Sequence, residues 1–333
     1  MQGMHKTIFM ISLEEAKKVI DSEISRSHIE REPESLYQPV DYILSLGGKR
    51  LRPCLALVAA SLYQVDFQVA LPAALALEVF HNFTLLHDDI MDNAMLRRNM
   101  PTVHVKWNVN TAILSGDAML IYAFQLIQGT DPSLLPRIIE LFTRTALEVC
   151  EGQQYDMEFE SIETVSEEQY IRMIELKTAV LIAASLKIGA LCGGSSHEES
   201  DILYEAGRNI GLAFQLQDDL LDTYGDTEVF GKKIGGDIRA SKKTFLFILA
   251  KEVLKDEQRK ELVQQYENRS GNLDEKVRRV KALFDSCEVA QMVKERITKY
   301  LDQASQCFDR LSVPPDSRRQ LKQLVDSLLD RQS

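Results

Sequence analysis

Apolar residues recur every three or four positions through nearly every long segment of this chain, as in LALVAASLY from 55 to 63 and LFTRTALEVC from 141 to 150. Residues at that spacing share one face of an α-helix, whereas a half-buried strand needs strict alternation, which no segment shows convincingly. The pattern predicts an all-α fold. Helix breaks are expected at Gly47-Gly48, Pro101, Gly129 to Ser133, Gly193 to Ser196, Gly225 to Gly236, Ser270 to Asn272 and Pro314-Pro315. Ser12 with Glu15, Ser166 with Gln169 and Ser196 with Glu199 have the spacing of helix-starting capping pairs. No internal repeat or low-complexity linker divides the chain, so one helical domain spanning 1–333 is expected, with two domains the alternative, and the helices after residue 270 are more polar and amphipathic.

With 333 residues, 45% of them hydrophobic and 27% charged, the chain can bury a large core. An unbroken apolar run long enough to span a membrane is not evident, and TIFMI near the start is too short for a signal peptide, so no transmembrane segment is expected. Cys54, Cys150, Cys192, Cys287 and Cys307 lack CxxC spacing, which argues against a zinc site or a disulfide framework and fits a reducing cytoplasm. The balance of 39 basic against 50 acidic residues gives a net charge of −11, which opposes a nucleic-acid-binding surface. An anionic substrate would need a local cationic site, metal ions, or both.

Residues 85 to 92 read LLHDDIMD, which sets Asp88, Asp89 and Asp92 in an apolar helical run. Residues 215 to 222, QLQDDLLD, repeat the spacing with Asp218, Asp219 and Asp222. On a helix these carboxylates crowd one face and repel unless something positive compensates. Magnesium fits such open clusters: it takes one or two carboxylates, keeps waters, and uses substrate phosphate oxygens for its remaining positions. Gln215 lies on the same stripe as the second cluster, and His81 sits two turns before Asp88. Cations flank both clusters. GGKRLRP from 47 to 53 offers Lys49, Arg50 and Arg52, LRR from 96 to 98 offers Arg97 and Arg98, and 230 to 244 offers Lys232, Lys233 and Lys242. Arginine forks suit phosphate oxygens, and lysine serves as a point charge. The stretch FGKKIGGD is not a P-loop, because the GxxxxGK[ST] order and a preceding strand are missing.

Taken in order, GGKRLRP, HNFTLLHDDIMD, LRRNMPTVH, SGDAML, GQQYD, Lys177-Thr178, FQLQDDLLD and GKKIGGD resemble the trans-prenyl diphosphate synthases, relatives of farnesyl and geranylgeranyl diphosphate synthases. The resemblance implies a large helical bundle around a deep central cavity, with the aspartate motifs facing each other across its mouth. It implies three magnesium ions, with manganese as an alternative, held by Asp88, Asp89, Asp92, Asp218, Asp219 and Asp222 against the diphosphate of an allylic substrate. Arg97, Lys177, Gln215, Lys233 and Lys242 would face that diphosphate, with Lys232 an alternative to Lys233. Lys49, Arg52, His81 and Arg98 would hold isopentenyl diphosphate. Lys177, Thr178 and Gln215 would place a fixed charge and oxygen dipoles beside an allylic cation. Loss of a proton after carbon–carbon bond formation gives a product five carbons longer, and a homodimer is the assembly expected.

By the same likeness, an aromatic residue five positions before Asp88, here Phe83, forms the floor under the growing chain and implies a C15 or C20 product. Thr84 lies more directly beneath Asp88 on a helical wheel, and Phe80 lies a turn deeper. Two rival readings share the family's architecture: a terpene cyclase, which handles one diphosphate, and a noncatalytic partner subunit. The duplicated DDxxD and the GGKRLRP run oppose the cyclase, and two intact motifs oppose the subunit.

Overall fold

The computed structural model describes residues 10–27, 31–225, 234–268 and 271–329. They are helical almost throughout; a single pair of two-residue strands is the exception among the described residues. The chain clusters into two compact units. Unit 1 holds Met1–Thr143, Ala184–Tyr204 and Ser312–Ser317, and unit 2 holds Arg144–Ala183, Glu205–Leu311 and Arg318–Ser333.

In unit 1, α1 (Leu13–Arg26) begins with the expected capping box, in which Ser12 and Glu15 satisfy each other's backbone N–H groups. α2 (Glu34–Ser45) follows, and then α3 (Leu51–Ser61), which is buried on nearly all sides. α4 (Leu71–Met91) packs against α3 and, more extensively, against α6 (Val109–Ile127); the one-turn α5 (Val103–Lys106) lies between them in sequence. Among the described residues the span Phe67–Met91 is long and apolar enough, by length and composition only, to cross a membrane, although polar residues interrupt it. Its most apolar window is 61% buried inside the protein, so it serves as a core helix. Phe80 of α4 meets Phe142 edge-on at 5.2 Å, and Phe142 in turn meets Phe124 at 5.3 Å.

Unit 2 contains the later part of α7 (Leu135–Ser161), α8 (Glu167–Ile174) and a π-helical turn over Glu175–Ala179. α8 starts on the capping box anticipated at Ser166 and Gln169. α9 (Val180–Cys192) and α10 (His197–Tyr224) each contribute residues to both units. Within unit 2 the approach of α10 to the chain before it is very close, since a Cβ on Gly211 would fall 2.4 Å from the Ala179 Cα. After α10 come α11 (Gly236–Arg239), α12 (Phe245–Val253), α13 (Asp256–Glu267), α14 (Leu273–Ser286), α15 (Val289–Asp309) and α16 (Pro315–Leu329). The late helices are amphipathic as expected, and bury Val280, Leu283, Phe284, Val289, Val293 and Ile297 in a core with Phe245 and Leu262.

A buried ionic network anchors unit 1. Arg50 takes a left-handed backbone conformation just before α3, with φ 49°. Its guanidinium donates to Glu78 Oε1 at 2.6 Å, to Asp21 Oδ1 at 3.0 Å and to the Leu44 carbonyl at 2.6 Å. The Asn82 amide donates to the same Glu78 oxygen at 2.9 Å. Arg50 was one of the cations offered by GGKRLRP, but its guanidinium is used up inside the protein. Removing one member of a buried pair strands the other charge, at a cost of about 3–5 kcal/mol. Glu78→Ala should therefore lose about that much in urea unfolding, and Glu78→Gln, which keeps an acceptor, should lose less. A loss below ~1 kcal/mol in Glu78→Ala would show that the network contributes little.

Candidate active site

In unit 1 the first aspartate motif ends a helix. Asp88 and Asp89 lie in the last turn of α4, and Asp92 is its C-cap, donating its backbone N–H to the Asp88 carbonyl at 2.8 Å. Asp92 thus sits just past the helix that the apolar pattern extended through it. Asp89 is turned inward and is 3% exposed. Its carboxylate receives a two-pronged contact from Arg97, Nε to Oδ2 at 2.8 Å and Nη2 to Oδ1 at 2.7 Å. Burial still pushes the Asp89 carboxyl above its ordinary range, outweighing the pull of Arg97.

A hairpin aims the arginines. Leu96 pairs with Pro101 and Arg97 with Met100, leaving Arg98 and Asn99 as a two-residue turn with φ 53° and 62°. Two positive φ angles are what a type I′ turn requires. From this turn Arg98 donates to the Gly47 carbonyl, and a Cβ on Gly48 would fall 2.6 Å from its Nη2. The glycine pair of GGKRLRP is therefore a seat for a guanidinium. Arg52 Nη1 lies 3.0 Å from His81 Nε2. Arginine can only donate, so Nε2 accepts and the ring proton sits on Nδ1. Burial, and then the charge of Arg52, hold His81 well below its ordinary value, which keeps the ring neutral. Structure thus gathers Arg52 with His81, and Arg98 with the backbone next to Lys49.

In unit 2 the second motif lies in the last turns of α10, with Asp219 buried and Asp218 and Asp222 partly exposed. The side chains that donate to Asp219 are neutral. Its Oδ2 accepts from the Tyr170 hydroxyl at 2.6 Å, and its Oδ1 from Gln215 Nε2 at 3.1 Å. Gln215 Oε1 accepts from the Thr178 hydroxyl at 3.1 Å. Burial, and then the charge of Asp237, push the Asp219 carboxyl up to about 8, against the pull of those two donors.

Lys177 and Thr178 project from the π turn, a local widening of the helix that often marks functional positions. Gly152 of GQQYD explains how α7 can approach that turn, because a Cβ there would fall 2.2 Å from the Lys177 nitrogen. One turn on, Asp156 Oδ2 accepts from Lys177 Nζ at 2.6 Å. A cavity of ≈ 120 Å³ is lined by Asp156, Tyr170, Lys177, Thr178, Gln215 and Asp219, with Asp237 and Lys242 also on its wall. Asp222 seats the Gly-Gly-Asp segment: its Oδ2 accepts from the Asp237 N–H at 2.9 Å, and a Cβ on Gly236 would come within 2.9 Å of its Oδ1. Lys243 donates to the carbonyls of Phe159 at 2.7 Å and Ile162 at 2.6 Å, and so caps the end of α7.

Lys232 and Lys233 lie outside the described residues. Asp156, Tyr170 and Asp237 have places in the site that the sequence reading did not assign. The first and last stand inside motifs it quoted, GQQYD and GKKIGGD, whereas Tyr170 carried no local signal and meets a partner 49 positions away. Among the described residues no group of three acidic, histidine or cysteine side chains gathers closely enough to hold a metal alone. Carboxylate oxygens are nonetheless the donors that magnesium takes, and water and substrate oxygens would fill its remaining positions. A buried carboxylate with its proton raised to about 8, as at Asp219, also marks a place where added positive charge is welcome.

For Phe83, Thr84 and Phe80 the structure separates three environments. Phe80 is fully buried against Phe142, and Thr84 folds its hydroxyl back onto the His81 carbonyl at 2.8 Å. Phe83 is partly exposed and meets the ring of His87 edge-on at 4.8 Å.

Known proteins with this architecture are numerous. A solved structure of a geranylgeranyl pyrophosphate synthase superposes with a TM-score of 0.93 at 44% identity, covering 97% of this chain and 100% of that one. The geranylgeranyl diphosphate synthase of Methanosarcina mazei is 38% identical over 90% of this chain and 91% of its own length. The geranylfarnesyl diphosphate synthase of Natronomonas pharaonis is also 38% identical, over 72% of this chain and 76% of its own. The polyprenyl synthetase family profile matches residues 33–284. With the all-α isoprenoid synthase fold and this extent of likeness, the chain is a prenyltransferase and belongs to the polyprenyl synthetase family.

Proposed function

We propose that the protein is a short-chain trans-prenyl diphosphate synthase, which condenses isopentenyl diphosphate with an allylic diphosphate to give a C15 or C20 product. The observation that carries this reading is that Arg52 meets His81 and Arg98 meets the Gly47 carbonyl in unit 1, while Lys177, Gln215 and Lys242 border one cavity in unit 2. Lys49, Arg52, His81 and Arg98 form the cluster proposed for isopentenyl diphosphate, and the Arg52–His81 and Arg98–Gly47 contacts support that assignment. Lys177, Gln215 and Lys242 are proposed for the allylic diphosphate, supported by their shared cavity in unit 2. Arg97 is proposed as a further diphosphate ligand, as is Lys233 with Lys232 its alternative. A terpene cyclase, which takes one diphosphate, has no need of a second cluster.

Each aspartate motif is proposed to hold Mg²⁺, three ions in all, with Mn²⁺ as a substitute. Asp88, Asp92, Asp218 and Asp222 would offer the more accessible oxygens, while Asp89 and Asp219 add charge from within. Bound metal supplies Lewis acidity that draws charge from the leaving diphosphate. The chain's own part is to hold the substrates still, to place Lys177 beside the departing anion, and to set the oxygens of Thr178 and Gln215 beside the allylic cation. The double bond of isopentenyl diphosphate attacks that cation, and the pyrophosphate already released takes the proton that is then lost. We further propose one functional domain, a homodimer and a cytoplasmic location. The exposed apolar residues Val109, Ile113, Leu114 and Ile121 of α6 support the dimer, and five free cysteines support the reducing location.

The direct test supplies labelled isopentenyl diphosphate with dimethylallyl, geranyl or farnesyl diphosphate and resolves the dephosphorylated products. A C15 or C20 prenyl alcohol that disappears with chelator is expected. No elongation from any starter would favour the partner subunit, and a cyclic hydrocarbon made from one diphosphate would favour the cyclase.

Phe83 is proposed as the floor under the growing chain, supported by its partial exposure beside His87. Phe83→Ala should lengthen the main product by at least one five-carbon unit in the same chromatographic assay. An unchanged distribution would remove Phe83 from that role.

The Asp219 proton gives a pH signature. Its folded value of about 8 lies above the ordinary 3.8, so the protonated form is favoured by folding. That contribution is complete in acid and is lost as the pH climbs through about 8. In metal-free protein, melting temperature should therefore fall in wild type relative to Asp219→Asn between about pH 6 and pH 8. Magnesium with inorganic pyrophosphate should restore more stability at the upper pH. Parallel curves for the two proteins would rule out Asp219 as the titrating group.

A further inference from the structure

We propose that Tyr170 is a positioning residue for the condensation: acting through Asp219, it fixes which way the Gln215 amide faces and hence which atoms Gln215 and Thr178 present in the cavity. This rests on the function proposed above and adds a residue to it.

Gln215 turns its NH₂ to Asp219 Oδ1 at 3.1 Å, the facing that a carboxylate oxygen can accept. The amide carbonyl then points the other way, where it accepts from the Thr178 hydroxyl at 3.1 Å. Both residues line the cavity with Lys177. The Thr178 proton is spent on Gln215, which leaves the lone pairs of both oxygens as the negative ends of their dipoles. Oxygens so fixed stabilise a developing cation, whereas a flipped amide would turn N–H groups toward it.

What holds the carboxylate still is Tyr170. Its hydroxyl donates to Asp219 Oδ2 at 2.6 Å, and its ring is buried and stacked on Phe245 with centroids 6.0 Å apart. The tyrosine enters from α8 and the carboxylate from α10, so neither can adjust without moving a packed helix. Deleting the hydroxyl leaves a buried carboxylate oxygen without that donor, and the relief available is rotation of Asp219 or a flip of Gln215.

The test compares wild type with Tyr170→Phe, which keeps the ring. Calorimetry with Mg²⁺ measures two unreactive allylic diphosphate analogues, one with a protonated nitrogen in place of an allylic carbon and one with carbon there. Wild type should prefer the charged analogue, and Tyr170→Phe should lose about tenfold of that preference while binding the uncharged analogue within about twofold of wild type. In steady-state assays kcat should fall by a similar factor with KM for isopentenyl diphosphate unchanged. Phe245→Leu disturbs the same packing but spares the hydroxyl; it should lower the melting temperature and leave the preference intact. An undiminished preference in Tyr170→Phe, or an equal loss in Phe245→Leu, would reduce Tyr170 to a packing residue. Failure of wild type to elongate any starter would instead sink the synthase reading, and this inference with it.

Discussion

Two carboxylates buried among apolar helices set the terms for the rest of this protein. Asp89 and Asp219 are each the second aspartate of a DDxxD run, and each is turned away from water. A buried carboxylate is tolerated only when donors surround it, so every nearby element must deliver one. Unit 1 answers with a full positive charge: the hairpin after α4 exists in a form that returns Arg97 to Asp89 in a two-pronged contact. Unit 2 answers with neutral donors, Tyr170 and Gln215, whose pull is outweighed by burial and then by the charge of Asp237, so the carboxyl is pushed up to about 8. The two motifs read alike in sequence and are chemically unlike in the fold.

The second constraint is how closely backbones approach. Gly152 allows α7 onto the π turn that carries Lys177 and Thr178, and Gly48 leaves room for the Arg98 guanidinium. In both places the missing side chain brings a charged group to a position that any larger residue would block. Polar function and close packing are thus joined, since the same contacts that bury surface also fix the cations. The buried Arg50–Glu78 pair adds a fixed point beneath that arrangement in unit 1.

Much of this was legible from the residues alone. Three-and-four periodicity gave the helices, because it is a local property of which side chains share a face. Capping pairs at Ser12 and Ser166 marked helix starts, because a capping box closes within four residues. The aspartate motifs announced themselves by repetition, and GGKRLRP by its charge. Among the described residues the helix apolar enough by average hydropathy to span a membrane, Phe67–Met91, carries interrupting polar residues and is mostly buried inside the protein.

The sequence by itself determined the fold class, the two acidic motifs and the supply of cations, all of which depend on composition and short-range spacing. Only tertiary structure decided how each charge is used. Arg50 and Arg52 are two residues apart, yet one is locked to Glu78 in the interior and the other meets His81. Lys242 and Lys243 both border one cavity, yet Lys243 also turns its ammonium to the carbonyls that end α7. Tyr170 gave no sign at all, since its value lies in a hydroxyl placed beside a carboxylate 49 residues away. Spacing along the chain reports which residues share a helix face. What a charge or hydroxyl meets across helices depends on packing, which no local pattern encodes.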